Sequence, residues 1–398
     1  MKLLRNTTSH QNALLDEQLA TNAQVLQAVK GLLLVTTILI ALGLTMLYSA
    51  SYGTAGLKYF RNQLIWVSIG VSGALSVFFI GYQTLAKMVK LWLVIIFAAL
   101  ILCLCFDEIN GARRWLQFGS FSIQPSEFAK IILALFTAKY CSDFPRSCFK
   151  LKSRRGLIYP YGCTVAPVII AIILGEDMGT TALICAMLGL TLLVGGLPLR
   201  WMFAGITLMG GGAAVYVAFF DSMRLARSTS FINPESVMSG KGYQLWNSLM
   251  ALGSGGWFGI GFMKSRMKAK YLPEAHTDFV VSVMGEELGY AIILFVLALY
   301  VLFGYYCIKI SLNARSRLGM LLTIALMFGI LLQAAINLLV VSGSAPTKGM
   351  PAPFLSYGGS NMIACLVAVG FIISVALDTL MPDYQQQLQQ RLKFRKNS

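Results

Sequence analysis

The chain has 398 residues, 57% of them hydrophobic and only 12% charged, with a mean hydropathy of +0.70. A soluble domain carries about 25% charged residues, so a water-soluble globule is excluded. The net charge of +16 is dispersed among short segments between apolar runs, not gathered into the basic patch that nucleic-acid binding requires.

In chain order, a polar tail (1–30) leads into apolar runs at 31–50, 63–81, 88–106, 125–141, 157–174, 178–196, 201–220, 280–308, 318–342 and 361–380. A run of about 20 apolar residues crosses a bilayer core of roughly 30 Å as a helix. The runs lack the strict alternation of barrel strands. The pattern predicts an all-α, polytopic membrane protein with ten transmembrane helices. The membrane domain is 31–380, with a large extracytoplasmic loop (221–279) between helices 7 and 8. A tail, 381–398, ends basic and suits contact with anionic membrane lipid.

With the N-terminus inside, the cytoplasmic segments hold 19 Lys and Arg. The short outer loops hold five: Lys58, Arg61, Arg113, Arg114 and Lys348. Short loops rich in Lys and Arg stay inside, which predicts that both termini are cytoplasmic. The eight cysteines lie in spans or on the inner side, where no disulfide framework is expected. Two histidines exclude a multi-histidine metal site.

Five polar clusters stand out. EINGARRWLQFG (108–119) sets Arg113 and Arg114 side by side, and paired guanidinium forks can grip phosphate. Trp115 beside them can anchor at the interface or stack on a sugar. QPSEFAK (124–130) opens the fourth span with Pro125, which suits a first helical turn. Glu127 and Lys130 are three apart, share a helix face and can pair. Such a pair inside a membrane faces a cavity or the bundle interior.

GEDMGT (175–180) reads as a tight turn that positions helices. SGSAPTKGMPAPFLSYGGSN (342–361) joins the last two spans with three prolines and four glycines. Non-helical backbone near membrane depth is tolerated where it is buried in protein or lines a wet cavity. Lys348 and Ser356 are therefore candidate ligands for an anionic substrate.

The fifth cluster, KSRMKAKYLPEAHTDFVVSVMGEELGY (264–290), leads into the eighth span. Lys264, Lys268 and Lys270 offer a basic approach for a diphosphate. Asp278 is the candidate base and His276 an alternative, although Thr277 or Asp278 could simply cap the helix. Glu286 and Glu287 follow about 12 Å deeper at 1.5 Å per residue. At about 100° per residue, Glu286 is offset roughly 80° from Asp278 and Glu287 about 180°. Glu286 is thus expected to share the cavity of Asp278, and Glu287 to meet another helix. Before this cluster, YQLWNSLMALGSGGWFGIGF (243–262) suits an interfacial helix and a glycine-rich turn that approaches a ligand or another helix.

NGARRWL, QPSEFAK, DMGT, YLPEAHTDF with GEELG, and PTKGMPAPFLSYGGS occur in this order over 31–380. Together they resemble the SEDS family (shape, elongation, division and sporulation) of bacterial peptidoglycan glycosyltransferases. EAHTDF, GEELG and PTKG look more like its division branch than its elongation branch. The resemblance implies a ten-span bundle in the cytoplasmic membrane at the division site, polymerising lipid II. It maps the family's essential aspartate to Asp278, its loop tryptophan to Trp115, and its fourth-span ion pair to Glu127 and Lys130. It also implies a class B penicillin-binding protein and other division proteins as partners.

Two departures stand out: Gly175-Glu176 where the family usually has Gln-Pro, and Asn361 where serine is common. A divalent cation, Mg or Mn, is left open, because Mg²⁺ often relies on a carboxylate plus substrate phosphates. The rival class is a transporter that flips the lipid-linked precursor, since intramembrane charges suit that as well. A scaffold for division proteins is a third.

Overall fold

The computed structural model describes residues 2–52, 56–108, 111–118, 121–144, 156–205, 207, 242–270, 272, 275–346 and 349–381. Side chains are described for all of these but 2–17, 52, 118, 121, 269 and 270. No proline precedes Pro125, and the first consequence is length. The stretch expected as a polar tail continues as helix into the first span, so that α1 runs Lys2–Tyr52. Val25 and Ala28, within that expected tail, are buried.

Helices α2 (Lys58–Ile80), α3 (Tyr82–Lys87) and α4 (Val89–Cys103) follow. A short antiparallel hairpin comes next, β1 (Leu116–Phe118) and β2 (Phe121–Ile123), pairing Leu116 with Ile123 and Gln117 with Ser122. This hairpin departs from the all-α expectation; its residues are β-branched or aromatic at several positions and lie between two helices. Pro125 then opens α5 (Pro125–Asp143). Helix α6 (Ile158–Leu174) widens to π geometry over Tyr161–Val165, between Pro160 and Pro167. Among the described residues, and apart from a single helical turn at Met267–Lys270, the remaining helices are α7 (Met178–Val194), α8 (Tyr243–Gly255), α9 (Val280–Leu312), α10 (Arg317–Val341) and α11 (Gly359–Leu380).

Nine of the ten expected runs therefore fall on helices. The seventh, 201–220, lies outside the described residues except for 201–205 and 207. Among the described residues, five helices are long and apolar enough to cross a membrane: Gln18–Ser51, Lys58–Ile80, Val280–Leu312, Arg317–Val341 and Gly359–Leu380. Their outward faces expose large apolar side chains, among them Ile69 and Leu75 on α2 and Leu294 and Val301 on α9. A contiguous apolar exterior of this kind is a surface for lipid or partner, not for water.

Small residues set the helix contacts. A Cβ on Gly370 of α11 would stand 2.7 Å from the Ala74 Cα of α2, so the two backbones approach closely. Helix α9 breaks at Gly289, whose φ of 82° and ψ of −176° suit glycine alone. The break frees backbone groups, and the glycine-rich segment after α8 takes them. Ile260 N and Gly261 N donate to the Glu286 and Glu287 carbonyls at 3.0 Å each. In return, Tyr290 N donates to Gly256 O at 2.9 Å and Ala291 N to Trp257 O at 3.2 Å. Broken helices survive at membrane depth when protein re-satisfies them in this way. The expected glycine-rich approach is thus to another helix.

Candidate active site

Four elements meet at the end of the bundle that carries the β-hairpin: the hairpin itself, the start of α5, the 349–358 segment and the entry to α9. Asp177 organises the first corner. It caps α7, accepting from Thr180 N at 3.3 Å. Its other oxygen accepts from Gln124 Nε2 and Ser126 Oγ, both at 2.8 Å. Arg114 Nη1 lies 3.7 Å from Asp177 Oδ1, the capping oxygen, while Arg114 Nε is buried with no acceptor. The GEDMGT turn therefore positions helices, as expected, and also holds an arginine. Arg113 is exposed and pairs with Glu108 at 3.1 Å, and Trp115 is half-buried beside it.

One turn into α5, Glu127 and Lys130 form a buried ion pair at 2.8 Å. Lys130 Nζ also donates to Gln333 Oε1 at 2.7 Å. Gln333 passes the connection on, donating to Pro351 O and Asn361 Oδ1 at 2.9 Å each. One turn along α10, Asn337 Nδ2 donates to Met350 O at 2.8 Å and to Asp278 O at 2.9 Å. Two amides, linked through the Met350–Pro351 main chain that they both grip, thus connect the α5 ion pair to the Asp278 main chain.

The 349–357 segment is held from every side. Tyr300 donates to Pro353 O at 2.6 Å, Gln63 Nε2 donates to Ser356 O at 3.3 Å, and Tyr357 N donates to His276 O at 2.9 Å. Phe354, buried, adopts a φ of 66°. Strain of that kind in a large residue persists where the surroundings over-determine it. Ser356 is buried too, and its Oγ accepts from Ala352 N at 2.8 Å. Its hydroxyl braces the segment rather than facing a ligand. His276 stacks on Tyr59 of α2, with ring centroids 4.3 Å apart, and tilts against Tyr357 at 5.8 Å. The N-cap position of α9 falls on Phe279, not on Thr277 or Asp278. Asp278 is partly buried, and its Oδ2 lies against the Gly349 backbone.

Deeper in, both glutamates face the 263–268 segment. Glu287 accepts from Ser49 of α1, from Met263 N at 3.0 Å and from Lys268 Nζ at 2.5 Å. Glu286 accepts from Ser265 Oγ and from Arg266 N at 3.0 Å. Glu287 does meet another helix, α1. Glu286 corrects the angular argument: it holds the incoming segment instead of opening toward Asp278, because the Gly289 break lets that segment fold back over α9. Lys268 is also redirected, since its ammonium is buried against Glu287 and Ser49. Lys264 remains exposed. The side chain of Lys270 and all of Lys348 lie outside the described residues.

Sequence reasoning passed over Gln333, Asn337, Gln63 and Gln124. Their signal was available, since amides within apolar helices are expensive unless they face the interior.

The fold and site define a multi-pass helical membrane protein with a hydrogen-bonded polar centre beneath one end of the bundle. The chain belongs to the cell cycle protein family of FtsW, RodA and SpoVE, whose family model matches residues 30–380. It is 33% identical over 359 residues to the "Probable peptidoglycan glycosyltransferase FtsW" of Trichlorobacter lovleyi, covering 87% of this chain and 92% of that protein. It is 34% identical over 355 residues to stage V sporulation protein E of Bacillus subtilis, covering 87% and 96%. A solved structure described as structural coordination of polymerization and crosslinking by a peptidoglycan synthase complex matches with a TM-score of 0.75 at 25% identity. That match covers 88% of this chain and 98% of the other. The rod shape determining protein RodA of Thermus thermophilus shares the fold, with a TM-score of 0.66 at 24% identity over 88% and 96% of the two chains.

Proposed function

We propose that this chain is a peptidoglycan glycosyltransferase that polymerises lipid II at the outer face of the bacterial cytoplasmic membrane. The observation that carries the reading is the seat of Asp278. It stands where the 242–279 segment enters α9, with its carboxylate against Gly349 and its main chain tied to α10. The family membership and the relatives named as glycosyltransferases support it. The ten-span topology with both termini inside belongs to the same reading, supported by the Lys and Arg asymmetry and by five helices of spanning length.

Asp278 takes the proton from the acceptor sugar's 4-hydroxyl as that oxygen attacks the donor's anomeric carbon. The bond to undecaprenyl diphosphate breaks, and the leaving group carries away the electron pair. A positioned base contributes typically 10²–10⁴-fold, and cations aimed at the leaving diphosphate stabilise the developing charge. Arg114, with its unpaired buried Nε, supplies that charge, and Arg113, Trp115, Lys264 and His276 line the approach; Lys270 and Lys348 join these cations on their sequence positions alone. Glu127, Lys130, Glu286, Lys268 and Ser356 support the site from behind.

Among the described residues no three His, Cys, Asp or Glu side chains converge. A Mg or Mn ion would accordingly rest on Asp278 and the substrate's phosphates, where it would neutralise leaving-group charge. The partner in this reading is a class B penicillin-binding protein, supported by the likeness to a synthase complex that couples polymerization to crosslinking. The role is septal, supported by the FtsW relatives.

The test is polymerisation of lipid II by the protein purified with its transpeptidase, comparing wild type with Asp278→Asn. Loss of glycan strands in the variant is expected. Strands at the wild-type level would remove Asp278 from catalysis, and lipid translocation without strands in any preparation would mark a flippase. Depletion in cells is expected to give filaments; rounding instead would assign the elongation role.

A further inference from the structure

Asn337 is buried at 2% exposure, four residues before the end of α10. Both of its N–H bonds are engaged, one by Asp278 O and the other by Met350 O. This fixes the amide's orientation, because turning it over would set its oxygen against two carbonyl oxygens. The price of that arrangement is visible on the other side: Asn337 Oδ1 is buried without a hydrogen-bond partner. Buried polar groups are nearly always satisfied, so this oxygen marks an orientation set by the two donor bonds.

The two carbonyls come from different parts of the site. Asp278 O belongs to the entry of α9, and Met350 O lies next to Gly349, on which the Asp278 carboxylate rests. One amide therefore sets the spacing between the carboxylate's own backbone and the surface that backs the carboxylate. One turn earlier, Gln333 grips the neighbouring Pro351 carbonyl and is itself held by Lys130 and Asn361.

We propose that Asn337 is a positioning residue for Asp278, fixing the reach of the carboxylate toward the acceptor hydroxyl, with Gln333 as its support. This rests on the assignment of Asp278 as the base. The departure at Asn361 fits the same device, because its Oδ1 accepts from Gln333 and so extends the support to α11.

The test is steady-state polymerisation of lipid II by the complex carrying Asn337→Ala, with Asn337→Ser as a second variant that keeps one donor. A misplaced catalytic group costs about 10- to 100-fold in rate. Asn337→Ala is expected to lose that much in kcat with KM within about threefold of wild type, and Asn337→Ser to lose less. In an Asp278→Glu background, whose longer side chain has already lost the set reach, the further loss from Asn337→Ala is expected to shrink to a few-fold.

A kcat within twofold of wild type in a folded Asn337→Ala or Asn337→Ser protein overturns the proposal. So does a loss confined to KM, or an equal loss in both backgrounds. Should Asn337→Ala not fold, Asn337→Ser decides by the same kcat criterion. Full activity of Asp278→Asn would instead overturn the assignment of the base, a result separable from any of these.

Discussion

A Cβ placed on Gly349 would stand 2.6 Å from Asp278 Oδ2, closer than real side chains approach. Gly349 is kept bare by this contact and not by its backbone angles, since it is not among the glycines with positive φ. Gly349→Ala should displace the carboxylate while leaving the helices intact. The expected result is a loss of roughly 10- to 100-fold in kcat with an unchanged thermal midpoint. Wild-type kcat would show that the carboxylate has slack.

The Lys268–Glu287 pair is the second point of leverage. Both side chains are buried, at 9% and 0% exposure, and the pair ties the 263–268 segment to α9 and, through Ser49, to α1. Removing one member of a buried pair leaves an uncompensated charge and costs about 3–5 kcal/mol. Lys268→Met should therefore destabilise by about that much, and adding Glu287→Gln should recover part of it. Thermal unfolding in detergent reads both; a double variant worse than the single would refute the pairing as the cause.

Glu176 adopts a φ of 62° in the turn before Asp177. The left-handed region costs a non-glycine residue roughly 1–2 kcal/mol, so Glu176→Gly should stabilise by about 1 kcal/mol. Proline locks φ near −65°, so Glu176→Pro, which moves toward the family's usual pattern, should destabilise this turn. Measured unfolding midpoints that move in the opposite directions would contradict the backbone assignment.

The opposite end of the bundle is fastened by Tyr82, which donates to Asp378 Oδ2 at 2.8 Å and lies 2.8 Å from Ser316 Oγ. Burial, followed in smaller part by Asp378, pushes its phenol up to about 12. An unfolded chain releases this proton near pH 10. Between about pH 10 and 12 the folded state holds the extra proton, so the contribution of Tyr82 is complete below 10 and falls as pH rises. Tyr82→Phe should lower stability by about 1–3 kcal/mol at neutral pH and flatten the loss above pH 10. Parallel wild-type and variant curves over that range would refute the linkage.

Much of the site was legible as residue types. Asp278, Glu127, Lys130 and the arginines announced themselves as ionisable groups in apolar surroundings, where they are costly without a purpose. Carrying helical geometry back to Asp278 misplaces Glu286, because α9 begins only at Val280, after its N-cap Phe279. Gly289 breaks that helix, and the segment before it folds back to claim both glutamates. The sequence shows a glycine there, but glycines inside helices are common enough that the break could not be read from it. Ser356 and Lys268 were chosen for their chemistry, and each turned out to have an internal partner.

By itself the sequence determined the membrane, the helices and the ionisable groups, because hydropathy, proline placement and charge act locally along the chain. Tertiary structure alone decided who meets whom. Asn337 reaches Asp278 across 59 positions, and Ser49 reaches Glu287 across 238. Contacts at such separations depend on how helices cross and where α9 breaks, and no local pattern encodes them. That is why Asp278 was visible as a candidate before the fold was known, and the amide that ties its backbone was not.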